Sequence, residues 1–120
     1  MTFHRTRDAI VNDLLRHVKT GGTVATVAGG LVPSSGYVVG VPQHGMTAKR
    51  PTEGLVAAWV TSVALAASEP SRYVGIWSHD DITYLDVVEV LPEMAMALSE
   101  ARKRGEIAIY NLSTQQEILV

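Results

Sequence analysis

Tyr73-Val74-Gly75-Ile76-Trp77-Ser78-His79-Asp80-Asp81-Ile82-Thr83-Tyr84-Leu85-Asp86-Val87-Val88-Glu89-Val90 reads as two β-strands with a turn between them. β-Branched and aromatic residues fill Tyr73 to Trp77 and Ile82 to Val90, and Ser78-His79-Asp80-Asp81 supplies the turn. A two-residue loop at Asp80-Asp81 and a four-residue loop from His79 to Ile82 give the same register: Trp77 faces Tyr84, and Gly75 faces Asp86. Because strand side chains alternate, Val74, Ile76, Leu85 and Val87 point to the other side of the sheet, where they are expected to pack on a helix.

Working outward from this hairpin, a largely apolar helix is expected from Pro51, in the first turn where its missing N–H costs nothing, to about Glu69, where Pro70 stops it. Leu55, Val56, Trp59, Val60, Val63 and Leu65 lie on nearly every side of it, so protein is expected to cover most of its circumference, as the centre of a core or part of an oligomer interface. After the hairpin, Pro92 and Glu93 open a helix with Met94, Ala97, Leu98 and Ala101 on one face. It ends at Arg102-Lys103-Arg104 before Gly105, acid first and base last as the macrodipole favours. Ile107 to Tyr110 and Glu117 to Val120 make a final strand pair around Asn111-Leu112-Ser113-Thr114.

Toward the N-terminus, Ile10, Val11, Leu14, Leu15 and Val18 recur at helical spacing over Thr6 to Lys19, with Thr6 as N-cap and Gly21 as stop. Val24 to Val27 and Gly36 to Val41 read as strands of a second hairpin, and Pro42 to Arg50 as a connection. The expected order is αββαββαββ, an α+β two-layer sandwich with an antiparallel or mixed sheet and the helices on one face. Residues 23 to 69 and 73 to 105 are each hairpin plus helix, an internal echo.

The chain has 120 residues, 47% of them hydrophobic and 18% charged, with net charge -2 and no cysteine. That length makes residues 1 to 120 a single domain. Without cysteine there are no disulfides, thiolate nucleophiles or zinc-thiolate sites. The small net charge supplies no field that would hold nucleic acid or an anionic membrane. Charge precedes any apolar signal-like region, and the longest weakly polar run, Gly54 to Ser68, is too short to span a bilayer. A cytoplasmic location is the resulting expectation.

Few motifs carry chemistry. Gly40-Val41-Pro42-Gln43-His44-Gly45-Met46-Thr47 has the spacing of a phosphate loop, but Met46 stands where the phosphate-binding lysine belongs. No Gly-x-Ser-x-Gly elbow surrounds Ser34 or Ser35. His4, His17, His44 and His79 lack metal-ligand spacing, so no metal or cofactor is expected. Asp86 stands out: a carboxylate in an otherwise apolar strand, beside Trp77 and Tyr84 and opposite Gly75, can bind a ligand or act as a general base. His79 lies at the neighbouring turn. Arg102, Lys103 and Arg104, with Lys49-Arg50 and the N-terminal basic residues, form a nucleic-acid surface only if the fold brings them together, and they lack the interleaved aromatics of single-strand binders.

Tyr73-Val74-Gly75-Ile76-Trp77, Tyr84-Leu85-Asp86-Val87-Val88, Ala97-Leu98 and Ile107-Ala108-Ile109-Tyr110 together, with Gly36-Tyr37-Val38-Val39 earlier, resemble small uncharacterised proteins of actinobacteria and of their phages and plasmids. The resemblance spans residues 21 to 120. That group's Trp-x-Asp step is displaced here, where Asp follows Trp77 only at Asp80 or Asp81. The resemblance implies an accessory role and no particular reaction.

The expected function is thus a non-enzymatic binding or interaction protein that works through protein contacts, including self-association as a homodimer, without membrane or cofactor. The alternative is a small-molecule-binding protein or small enzyme using Asp86 with Trp77, Tyr84, Gly75 and His79 or His44. Nucleic-acid binding through Arg102, Lys103 and Arg104 ranks third.

Overall fold

A computed structural model of the protein describes residues 6–24 and 32–120. The elements are α1 (Arg7–Arg16), β1 (Gly22–Val24), β2 (Tyr37–Gly40), β3 (Met46–Ala48), α2 (Glu53–Ser62), α3 (Ala64–Ala67), β4 (Arg72–His79), β5 (Ile82–Leu91), α4 (Met94–Lys103), β6 (Ala108–Asn111) and β7 (Gln116–Leu119). The fold is α+β. One antiparallel sheet runs in the order β1-β4-β5-β2-β6-β7, and β3 also pairs with β5.

The β4–β5 hairpin forms in the expected register, Trp77 opposite Tyr84 and Gly75 opposite Asp86. Its turn is the two-residue one: Asp80 and Asp81 have φ of 51° and 63°, the left-handed pair that matches the twist of a tight hairpin. Val74, Ile76, Leu85 and Val87 are buried against Ile10, Val11 and Leu14 of α1 and Val56, Trp59 and Val60 of α2. A second cluster joins Val39 and Ile109 to Ala97 and Ala101 of α4. Val39 pairs with Glu89, which lies on the same side of β5 as Leu85 and Val87, so both clusters occupy one face of the sheet. All described helices therefore sit on that face.

Helix α1 starts at its expected N-cap, the Thr6 hydroxyl accepting from the Ala9 N–H at 3.1 Å. In α2 the cap is Thr52, which accepts from Leu55 N–H at 3.1 Å, so Pro51 precedes the helix and does not open it. The single helix expected up to Glu69 is broken at Val63. The Thr61 hydroxyl donates to the Ala57 carbonyl at 3.0 Å and that of Ser62 to Trp59 at 2.7 Å, competing with the backbone ladder. Beyond the break Leu65 is 75% exposed, so protein covers less of this apolar segment than its composition implies. In α4 the buried stripe is Ala97 and Ala101; Met94 faces solvent.

The first hairpin is the main correction. β1 pairs with β4, and β2 pairs with β5 and β6, so two strands separate them. The central hairpin offers a free edge on each side, and each N-terminal strand takes one of them. The rest of the strand expected at residues 24–27 lies outside the described residues. Without a first hairpin the internal echo is a likeness of local pattern and no repeat of structure. Residues 42–50, expected as a connection, contain β3. No helix among the described residues is long and apolar enough to cross a membrane.

Candidate functional site

On its second edge β5 is shared by two short strands. β2 pairs with Val88 to Leu91, and β3 with Thr83 to Leu85. The Val41 N–H still reaches the Val87 carbonyl at 2.8 Å, after which the chain leaves the sheet and returns at Met46. Gln43, with φ of 74°, turns this excursion, and the Trp59 indole N–H holds it from the helix side by donating to the His44 carbonyl at 2.9 Å. Asp86 lies opposite the gap, on the sheet face away from the helices.

Two glycines make room there. A Cβ on Gly45 would stand 2.7 Å from Asp86 Oδ1, and a Cβ on Gly40 would collide with the Glu106 carboxylate. Gly75, expected to be the gap beneath Asp86, needs no such allowance, because a Cβ on it would meet Val88 at an ordinary 3.4 Å. Gly40 pairs with Val88, the next residue after Asp86 on the same face of β5, so the two half-buried carboxylates are neighbours.

Glu106 is the residue that sequence reasoning missed. It follows Gly105, whose φ of 71° closes α4 in a Schellman motif: Glu106 N–H donates to Ala101 at 2.9 Å and Gly105 N–H to Arg102 at 3.2 Å. The position occupied by Glu106 in this motif commonly carries an apolar residue that packs back on the helix. A glutamate in its place was the available signal.

The Trp77 and Tyr84 rings stack at 4.2 Å between centroids and 10° between planes, with Trp77 46% exposed. The indole N–H of Trp77 is the polar group that acts on the Asp86 carboxylate. Burial raises the pKa of Asp86 above the ordinary carboxylate value, and the indole hydrogen bond opposes that rise. Glu106 is raised too, first by burial and then by the charge of Asp86, with Arg104 pulling it back.

The remaining sequence candidates are dispersed. His79 is exposed at the turn tip, its Nε2 at 3.2 Å from the exposed Asp80 carboxylate and its ring 6.4 Å from Trp77. Arg102 and Lys103 are exposed, but Arg104 points inward. It donates to Glu89 at 2.7 Å and to the Gly40 carbonyl at 3.1 Å, and lies 3.4 Å from Glu100. Lys103 in turn lies 3.4 Å from Glu100, so two of the three cations of the cluster are engaged in ion pairs. Among the described residues no group of three or more histidines and carboxylates can hold a metal ion. The site is a carboxylate pair beside a half-exposed aromatic stack. No protein-family model, curated protein or solved structure matches the chain.

Proposed function

We propose that the protein is a non-enzymatic binding protein, of the accessory kind found in bacteria and their phages, and that it binds through the sheet face opposite its helices. The observation that carries this reading is the Trp77–Tyr84 stack: two large rings on that face, one of them 46% exposed, next to Asp86 and Glu106. Exposed aromatics with fixed polar neighbours supply contact area at little entropic cost, which is why they dominate binding surfaces. The basic cluster lends less support to a nucleic-acid partner, because Arg104 is engaged in ion pairs and the aromatic face carries carboxylates.

The indole N–H resonances of Trp59 and Trp77 test the reading. Trp59 is buried in the core and Trp77 lies on the proposed surface. A panel of cationic, anionic and aromatic compounds and short peptides is expected to contain members that shift Trp77 and leave Trp59 in place. A panel in which none does so overturns the proposal.

A second reading, a small enzyme, is favoured by one observation: Asp86 and Glu106 are adjacent and both hold protons more readily than ordinary carboxylates, as a general acid must. It replaces the first if a compound that binds is chemically altered by the wild type and not by Asp86→Asn.

A further inference from the structure

We infer that the surface around Trp77 receives an arginine side chain of a partner protein, its guanidinium seated between Asp86 and Glu106 at the edge of the Trp77–Tyr84 stack. This deepens the binding reading above and rests on it.

Charge complementarity leads to this occupant. Asp86 and Glu106 lie side by side over Gly45 and Gly40, neither buried enough to be sealed from solvent. Arg104 acts on Glu106 through space, but its close contacts are with Glu89 at 2.7 Å, Glu100 at 3.4 Å and the Gly40 carbonyl at 3.1 Å, and its side chain is only 17% exposed. The indole N–H of Trp77 gives Asp86 one donor. A carboxylate accepts several hydrogen bonds, so both groups retain acceptor capacity toward the same side.

The carboxylate pair selects among cations. A guanidinium is planar and carries five donors in a fork that suits carboxylates. An ammonium is a point charge with a tighter hydration shell and lacks the fork. A metal ion is disfavoured, since the described residues provide no third ligating side chain.

The glycines give the same indication. Gly40 and Gly45 stand where a Cβ would push each carboxylate off its position, so the bare backbone on that side leaves room for both groups. The peptide excursion carrying Gly45 is itself anchored through Trp59 and His44. The backbone beside the pair is thus fixed before a ligand arrives, and only the Glu106 side chain is left to be ordered on binding.

The test titrates the full chain with acetyl-Gly-Arg-Gly-amide, its citrulline counterpart, in which a neutral urea replaces the guanidinium, and agmatine, a free guanidinium compound. The Trp77 indole resonance is the readout, assigned by its loss in Trp77→Phe, and the Trp59 resonance reports an intact core. The arginine peptide is expected to bind about tenfold more tightly than the citrulline peptide, and Asp86→Asn and Glu106→Gln each to weaken it by about tenfold. Equal binding of the two peptides overturns the inference. So does agmatine matching the arginine peptide, which assigns the site to a free small molecule, or a Trp77 shift with protein concentration alone, which assigns the face to a second copy. If the arginine peptide fails and another class of compound moves Trp77, the inference falls and the binding face stands. If nothing moves Trp77, both fall.

Discussion

Glu89 and Asp86 lie three residues apart on β5 and face opposite sides of the sheet. Glu89, on the helix side, meets Arg104 at 2.7 Å with both side chains at least four-fifths covered, in the seam between the two apolar clusters. Asp86, on the other side, meets an indole N–H and a second carboxylate. The first charge is neutralised within the fold. The second meets no cation among the described residues. Carboxylates of one strand can therefore serve packing or binding according to the layer they face, and the contrast yields predictions on each side.

The largest effect is expected on the helix side. Leu85→Ala empties a fully covered position between α1, α2 and the sheet and should cost about 3 kcal/mol, read as a lowered urea midpoint. Tyr84→Ala, one residue away and on the other face, should cost much less, and equal losses would break the contrast between the layers. Next, Arg104→Met leaves Glu89 half-buried without its cation and should cost about 2 kcal/mol. Replacing Glu89 by Gln in that background should restore part of the loss.

Gly40→Ala should have a smaller effect, about 1 kcal/mol, because the atom it strikes is the mobile end of Glu106. The loss should vanish in a Glu106→Ala background, as measured by a double-mutant cycle. The smallest effect is electrostatic. Asp86 and Glu106 bind protons more tightly in the folded chain than in the unfolded one, so the fold is favoured in acid and loses that share of stability as pH rises through their raised values. From about pH 4, where unfolded carboxylates titrate, toward neutrality, Asp86→Asn should flatten the stability curve and leave the protein slightly more stable than wild type at pH 7. A steeper curve would contradict the pairing of the two carboxyls.

Much of the fold was legible because local signals agreed with the tertiary outcome. The Tyr73–Val90 pattern specified strand, turn and register at once, and with them the contact of Trp77, Tyr84 and Asp86 on one face. Thr6 and Gly105 marked their helix ends through capping chemistry that acts within four residues. The N-terminal strands misled for a complementary reason. A Gly-rich stretch without charges looks like a hairpin wherever it occurs, but which strands pair depends on the free edges available, and the long β4–β5 hairpin supplied both. Met46–Ala48 has too few residues to show a period, and it is a strand only because Thr83 to Leu85 would otherwise be unpaired on that edge.

The sequence by itself determined the central hairpin, the three main helices and the face on which Asp86 stands, because alternation, capping and turn geometry are properties of neighbours along the chain. Only the tertiary structure decided that Glu106 joins Asp86, that Gly40 and Gly45 and not Gly75 make room for the pair, and that Arg104 is withdrawn from solvent into an ion pair with Glu89. Those facts depend on residues far apart in sequence meeting where β5 outruns its partners, and a charge has no consequence until its neighbours in space are set.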